Sequence, residues 1–425
     1  MITAIQRYLA STLGADPLLR NAAFLRYWFS SILNSFGAQV SALAVPLCSA
    51  ILLQATPGQM SLVATCQALP ALLFSLPAGV WLDRRRKLPI LLACQVIQGL
   101  CLASIPLAWW LGILSMPWLY ASTLVFHTCN VIGGGAEQIF VMLVVGRDKL
   151  IDAQSKFTMT DSASRLIAPG LAGLLIQWLT APYAVLANAA SFLLSAWNLR
   201  QTNVTEPAPQ PSEKHPLREI REGFVFIWNT PLLRTLAWSI GLWHMLYYGF
   251  AALQILLATR ELGMTPGLLG VAQMLGGLGM LASSMLVKPM TRRFGAGKTM
   301  LTGIAATVLG GFVLQATIPA NWFGQPLASA AAYALLVFVY DCGVMLFFIP
   351  YLSMRAHATP DAYMGRIIST MRFLTVATAP LGALAAGAIA DRYGVRTGLA
   401  CVGACGMLLT AAMIASPHIR SVRPD

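Results

Sequence analysis

The chain has 425 residues, of which 57% are hydrophobic and only 10% are charged, and its mean hydropathy is +0.69. Soluble domains carry roughly 25% charged residues, so a water-soluble fold of this length could not cover its surface with so few. These values exclude a cytosolic enzyme, a nucleic-acid-binding protein and a disordered scaffold. The composition instead predicts a helical protein that crosses the bilayer many times.

The cysteines and the N-terminal segment contain no motif for a disulfide, a metal site or a signal peptide. All 8 cysteines lie in apolar runs, without a CxxC pair or a Cys/His cluster. We therefore expect buried packing residues, with no disulfide, metal site or cofactor. Residues 1–21 lack a short apolar segment followed by a small-residue cleavage site, so we expect no removable signal peptide.

Apolar segments of membrane-spanning length follow one another along the chain. A span needs about 20 residues to cross the hydrocarbon core, and the segments predict about twelve spans. Their predicted bounds are 24–53, 61–82, 89–111, 118–145, 158–179, 183–199, 232–258, 268–287, 299–318, 327–352, 367–390 and 397–415.

The distribution of basic residues predicts the orientation. Most Lys and Arg between spans lie in the connections after the second, fourth, sixth, eighth and tenth spans. The connections after the odd-numbered spans, on the other side of the membrane, contain only Arg260, Arg392 and Arg396. Because cytoplasmic loops collect Lys and Arg, we expect a multi-pass protein of the bacterial inner membrane with both termini in the cytoplasm. This asymmetry also explains the net charge of +13 without a nucleic-acid partner.

The longest polar stretch, residues 201–229, lies at the middle of the chain. Its first part is rich in proline, and its second part places Leu217, Ile220, Phe224 and Ile227 on one stripe of a short amphipathic helix. We therefore predict a six-helix half over residues 1–200, a cytoplasmic linker over 201–230 and a second six-helix half over 231–425. Two such halves around a midplane site are typical of secondary transporters.

A motif after the second span carries the first family resemblance. The run from Gly79 through Asp83 to Arg84, Arg86 and Lys87 resembles the G-x-x-x-D-R-x-x-R/K loop signature of the major facilitator superfamily. The resemblance implies an all-α fold of about twelve transmembrane helices in two pseudo-symmetric halves. It also implies a conformational latch in this loop. We expect Asp83 to cap the cytoplasmic start of the eleventh span when the cavity opens outward.

Two further resemblances narrow the family. The fifth span contains Pro169, Gly170 and Gly173 in a run similar to the G-P-x-x-G-G motif of antiporters. Residues 215–234 and 359–387 are similar to the branch that contains the enterobactin exporter and macrolide-efflux proteins. The resemblance implies an inner-membrane exporter of a small organic molecule that is driven by the proton gradient. We expect a monomer whose partners are the substrate, protons and the lipid bilayer.

Polar residues at membrane depth give the candidate site, because they normally face a cavity or a partner. In the tenth span, Asp341 lies about fourteen residues from the outer end, or about 21 Å at 1.5 Å per residue. Similar stripes occur in the first, fourth and seventh spans, and in the resembled fold these spans and the tenth line the central cavity. The substrate-cavity candidates are Gln39, His127, Asn130, His244, Tyr247 and Tyr340, and the proton-coupling candidates are Asp341 and Glu137.

Each candidate also has a structural interpretation. Glu137 lies near the inner end of its span, where the basic loop could hold it in an ion pair. Asp161 and Arg165, four residues apart, predict a local ion pair. His127 and His244 could be neutral residues hydrogen-bonded between helices.

Three function classes follow from these observations. The first is a proton-coupled exporter, and the second is an importer or a lipid flippase of the same fold. The third is a membrane enzyme or receptor, which we do not expect because the sequence contains no catalytic cluster at workable spacing. The absence of a Walker A motif excludes ATP as the energy source. The substrate, a siderophore or a drug-like compound, stays open.

Overall fold

The computed structural model describes residues 17–146, 148–202, 204, 206, 216–360 and 363–420. Within these ranges, the side chains of two residues of the predicted latch, Gly79 and Asp83, lie outside what is described. The described part of the chain is helical and contains no β-strand. The predicted all-α fold is therefore confirmed.

The helices match the twelve predicted spans one by one. We label them α1 Ala22–Leu52, α2 Pro57–Asp83, α3 Lys87–Trp110, α4 Met116–Val145, α5 Leu150–Leu179, α6 Ala181–Arg200, α7 Pro231–Glu261, α8 Pro266–Phe294, α9 Ala296–Thr317, α10 Pro326–His357, α11 Met364–Ala377 with Ala379–Tyr393, and α12 Val395–Ala415. Among the described helices, 9 are long and apolar enough to cross a membrane, and α2, α5 and α6 are not in that group. Those three have 27, 30 and 20 residues, lengths that also span about 30 Å.

Local sequence explains where several helices begin. Thr56 caps α2, because its side-chain hydroxyl oxygen accepts a hydrogen bond from the Gln59 backbone N–H at 3.2 Å. In turn, the Gln59 Oε1 atom accepts a hydrogen bond from the Thr56 backbone N–H at 2.9 Å. Thr265 caps α8 in the same way through the Leu268 N–H at 3.3 Å. A proline follows each threonine at the first helical position, where its missing N–H costs nothing.

The packing of the helices repeats between the two parts of the chain. In the first part α1 packs on α5 and α6, α3 packs on α4 and α6, and α2 packs on α4. In the second part α7 packs on α11 and α12, α9 packs on α10 and α12, and α8 packs on α10. The two parts meet through α2 with α11 and through α5 with α8. This is the pseudo-symmetric arrangement of the major facilitator fold, while the residue limits of the halves stay a prediction.

The linker contains a helix, Pro216–Asn229, that packs on the first turns of α11. Glu222 forms an ion pair with Arg366 at 3.1 Å, and the Phe226 ring stacks on Tyr363 with centroids 4.8 Å apart. The aromatic and aliphatic side chains of Phe224, Val225 and Trp228 are exposed on its other side. The linker helix thus holds the α11 start and leaves an apolar face uncovered.

Candidate functional site

A central cavity of about 780 Å³ lies where the two parts of the bundle meet. Its wall contains residues of α1, α4, α7 and α10, joined by residues of α2, α3, α5 and α8. The polar residues of the wall are Gln39, Ser41, Gln67, Ser122, Thr123, His127, Asn130, Arg165, His244, Tyr247, Gln254, Gln273, Tyr340 and Asp341.

The structure brings all six predicted cavity residues into this one wall. Gln39 comes from α1, His127 and Asn130 from α4, His244 and Tyr247 from α7, and Tyr340 from α10. The helical spacing of three or four residues explains this placement, since such residues share one helix face. Whether these side chains contact a substrate stays a prediction.

Asp341 is the only carboxylate in the described wall of the cavity. Its side chain is 9% exposed, and it forms no hydrogen bond or ion pair with any described residue. Gly276 of α8 leaves room for it, because a Cβ atom at Gly276 would collide with the Asp341 Oδ2 atom. Asp341 is therefore a buried carboxyl group of the cavity wall without a fixed partner among the described residues.

Arg165 of α5 supplies a positive charge to the same wall. Its Nε donates to Asp161 Oδ2 at 2.9 Å, which confirms the predicted local ion pair. Arg165 and Asp341 line the same cavity. The backbone of Arg165 lies beside Gly277, where a Cβ would sit 3.0 Å from the Arg165 carbonyl oxygen. The adjacent glycines Gly276 and Gly277 therefore permit α10 and α5 each to approach α8 closely.

An aromatic cluster from α7 and α10 forms part of the wall. Trp243 stacks on Tyr247 at 5.4 Å and on Phe347 at 5.9 Å between ring centroids. His244 lies edge-on to Phe348 at 6.3 Å, and its Nδ1 is 3.1 Å from the Ile240 carbonyl oxygen of its own helix. This cluster gives the cavity a planar, apolar surface next to its polar groups.

Glu137, the second coupling candidate, does not line the described cavity. It accepts a hydrogen bond from the Tyr27 hydroxyl at 2.6 Å. The Tyr27 ring lies 5.4 Å from the rings of both Phe140 and Phe157. The hydrogen bond and the surrounding rings fix Glu137 in a contact between α1 and α4.

The predicted latch loop shows a contact that the sequence did not suggest. The Lys87 Nζ donates to the carbonyl oxygens of Leu82 and Arg85, both at 2.6 Å. The Glu206 carboxylate accepts from the Lys87 N–H at 2.5 Å and from the Leu88 N–H at 2.7 Å. The start of α3 is therefore capped by an acidic residue from the linker.

The remaining latch residues are placed differently. Arg84 and Arg86 are exposed. The expected Asp83 cap on α11 falls on a side chain outside the described part and stays a prediction.

The antiporter-like motif lies at the contact between α5 and α8. Pro169 lines the cavity, and a Cβ at Gly170 would collide with Met274. A Cβ at Gly173 would sit 2.5 Å from the Pro266 carbonyl oxygen and 2.8 Å from the Gly270 Cα. The small residues therefore permit close approach between helices of the two parts.

Sequence reasoning missed the polar wall residues that lie outside the four expected helices. Gln67, Arg165 and Gln273 come from α2, α5 and α8, which were not expected to contribute. Gln67 and Gln273 have no polar residue three or four positions away on their helices, and Arg165 has Asp161 four positions before it. Their depth in the span, more than ten residues from either terminus of α5 for Arg165, is the signal that could have found them.

The wall offers neutral hydrogen-bonding groups and one pair of opposite charges. The amide side chains of Gln39, Gln67, Asn130, Gln254 and Gln273 can each donate and accept. Among the described residues, no group of three or more His, Cys, Asp or Glu side chains could hold a metal ion. The wall can therefore donate hydrogen bonds to a polar molecule in the cavity and accept hydrogen bonds from it.

Curated relatives cover most of the chain at low identity. An uncharacterised MFS-type transporter, YfiS of Bacillus subtilis (strain 168), is 26% identical over 407 residues and covers 92% of each chain. The multidrug efflux pump Tap of Mycolicibacterium fortuitum is 25% identical over 379 residues, which is 85% of this chain and 88% of Tap.

Solved transporters share the fold. The nucleoside transporter NupG superposes with a TM-score of 0.75 at 13% identity, covering 93% of this chain and 98% of its own. A bacterial homologue of the iron transporter ferroportin, in an inward-facing state, gives a TM-score of 0.68 at 16% identity, covering 94% of this chain and 100% of its own. Identities this low establish the shared architecture alone.

The match to a sequence family extends over most of the chain. The family described as Major Facilitator Superfamily matches residues 27–383, from α1 into α11. This match agrees with the twelve helices, their repeated packing and the central cavity between them. The chain belongs to the major facilitator superfamily of transporters.

Proposed function

We propose that this transporter exports a small organic compound from the cytoplasm in exchange for protons. The observation that carries the proposal is Asp341, a buried carboxylate in a cavity wall that Arg165 also lines. Removal from water favours the neutral form of a carboxyl group, whereas a neighbouring cation favours the charged form. A side chain under both influences can change its protonation when the helices move.

In our proposal the helices move by alternating access, in which the cavity opens to one side of the membrane at a time. We take the end of the bundle where α2 and α8 begin as the outer end, and contacts between the two parts join this end. In our proposal, outward opening gives Asp341 access to periplasmic protons, and inward opening releases the proton to the cytoplasm. The basic loop of Asp83, Arg84, Arg86 and Lys87 serves as the inner latch, and both termini lie in the cytoplasm.

The chemistry of the wall supports an amphiphilic substrate. Five amide side chains suit a molecule with several hydroxyl, amide or carbonyl groups, and the Trp243–Tyr247 stack suits a planar apolar part. Both a siderophore and a drug-like compound have such groups. The similarity to Tap and to the enterobactin-exporter and macrolide-efflux branch supports export of one of these two classes.

The experiment compares transport by vesicles of opposite orientation. Inside-out vesicles with a proton gradient should accumulate a fluorescent drug-like dye or a metal-free catecholate siderophore, and a protonophore should abolish the accumulation. The Asp341→Asn variant should not accumulate either probe. The matched control is Asp152→Asn, the same substitution at an exposed carboxylate of α5.

The outcomes separate the alternatives. Accumulation in right-side-out vesicles alone would make the protein an importer. Movement of a labelled phospholipid between leaflets, with no movement of either soluble probe, would make it a lipid flippase.

A further inference from the structure

A three-residue sequence occurs at the same place in each part of the chain. Thr56, Pro57 and Gly58 begin α2, and Thr265, Pro266 and Gly267 begin α8. In both helices the threonine caps the N-terminus and the proline occupies the first turn. The glycine N–H groups of that turn have no partner within their own helix, because the first backbone N–H groups of an α-helix never do.

Each of these glycine N–H groups is bound by a side chain from the opposite part of the bundle. The Gly58 N–H donates to the Asp391 carboxylate of α11 at 2.9 Å. The Gly267 N–H donates to the Gln177 amide oxygen of α5 at 3.0 Å, and the Thr265 hydroxyl donates to the same oxygen at 3.3 Å. The start of each helix is thus capped across the boundary between the two parts.

A close contact lies one helical turn from each of these bonds. Gly387 precedes Asp391 by four residues, and its Cβ would sit 2.5 Å from the Ser61 Cβ of α2. Gly173 likewise precedes Gln177 by four residues, and its Cβ would sit 2.8 Å from the Gly270 Cα of α8. Both contacts therefore consist of a glycine and a polar residue on one helix that dock against a Thr-Pro-Gly start on the other. We call these two contacts the outer docks.

The outer docks differ in charge. Asp391 places a full negative charge at the N-terminus of α2, where the helix dipole is favourable to anions. Gln177 places a neutral amide at the N-terminus of α8. Because hydrogen bonds of this kind are lost when the helices separate, each dock opposes opening by the free energy of its own cap.

We infer that Asp391 and Gln177 are positioning residues that hold the outer end closed, and that outward opening breaks both docks. The inference concerns opening alone and is independent of the substrate, the proton and the direction of transport. If the inference fails, the proposed export can still be correct. If the proposed export fails, the inference can still be correct.

The test measures outward opening without a substrate. A cysteine at Val45, a cavity residue of α1 that is 8% exposed, is labelled by a membrane-impermeant maleimide in right-side-out vesicles. The protein without Val45→Cys gives the background from the native cysteines. The labelling rate reports the fraction of time for which the outer end is open.

We expect Asp391→Ala and Gln177→Ala each to raise the labelling rate about fivefold. The double variant should multiply the effects to about 25-fold, because the docks are separate. Gln177→Glu should lower the rate, since it adds a charge at the start of α8. The matched control, Arg392→Gln, changes the charge of the residue after Asp391 and should leave the rate unchanged.

Two results would overturn the inference. The docks do not control opening if both alanine variants label at the parent rate while a melting measurement shows them folded. They also fail as an explanation if Arg392→Gln speeds labelling as much as Asp391→Ala. Asp391→Asn, which retains a hydrogen-bond acceptor, should give a rate between the parent and Asp391→Ala.

Discussion

The two proton-coupling candidates on spanning helices of this transporter, Asp341 and Glu137, have opposite surroundings. Asp341 of α10 lies in a cavity wall that Arg165 also lines, without a hydrogen-bond partner among the described residues. Glu137 of α4 lies away from the described cavity wall and accepts a 2.6 Å hydrogen bond from Tyr27. A group that must change its protonation during transport needs access to water and no permanent partner. We therefore propose Asp341 as the proton-coupling residue and a structural role for Glu137.

The comparison also shows why depth in the membrane is not enough to identify a coupling residue. Both side chains are expensive to place in hydrocarbon, and both are accommodated by the protein. Glu137 is accommodated by a phenol and the rings around it, whereas Asp341 is accommodated by a glycine and a cavity. The kind of neighbour, rather than the burial, distinguishes the two sites.

The largest expected effect is that of Asp341→Asn. This variant cannot release a proton, so gradient-driven efflux from proteoliposomes should fall by at least about 100-fold. Substrate counterflow, which needs no proton transfer, should persist. Glu137→Gln should retain most of the gradient-driven efflux, and the reverse pattern would exchange the two roles.

The next effect in size is that of Arg165→Gln. A nearby cation favours the ionised form of a carboxyl group, so proton release from Asp341 should become slower without the guanidinium. Coupled efflux should therefore be about tenfold slower. Asp161→Asn removes the ion-pair partner but keeps Arg165, so it should affect efflux less. Equal losses in both variants would show that the ion pair itself, and not the charge near Asp341, is needed.

A smaller effect is expected from Gly276→Ala, which fills the space beside the Asp341 carboxylate. Displacement of that side chain should reduce coupled efflux about fivefold, in line with the cost of overpacking. Gly134→Ala in α4 is the matched control, because no atom lies within 4 Å of its added Cβ. An equal loss in the control would point to helix flexibility instead of the position of Asp341.

The smallest effect on transport is expected from Tyr27→Phe. It removes the hydrogen bond to Glu137 and should lower the free energy of unfolding by about 1–2 kcal/mol, with efflux within about twofold of wild type. Thermal unfolding in detergent and efflux by the same preparation measure both quantities. A stable variant with strongly impaired efflux would give Glu137 a role in transport.

The fold could be predicted from the sequence because apolar length and basic loops report directly on membrane crossing. The cavity residues of α1, α4, α7 and α10 were predictable too, since polar residues such as His127 and Asn130 repeat at helical spacing. Arg165 was not predictable as a cavity residue, because an ion pair with Asp161 on the same helix is enough to explain its presence in the span. The contact of Glu137 with Tyr27 joins residues 110 apart in the chain, and no local pattern encodes it.

The outer docks also depend on contacts between distant residues that no local sequence pattern predicts. The Thr-Pro-Gly repeat is visible in the sequence and explains how α2 and α8 begin. Its partners Asp391 and Gln177 are 333 and 90 residues away from the glycines they cap. Only the packing of the helices brings these groups together.

The most direct test of the central claim is infrared difference spectroscopy of the purified protein titrated across neutral pH. The C=O stretch of a protonated carboxyl group reports proton binding without any substrate. Our account predicts a pH-dependent carboxyl band that disappears in Asp341→Asn and persists in Glu137→Gln. A band that persists in Asp341→Asn and disappears in Glu137→Gln would contradict it.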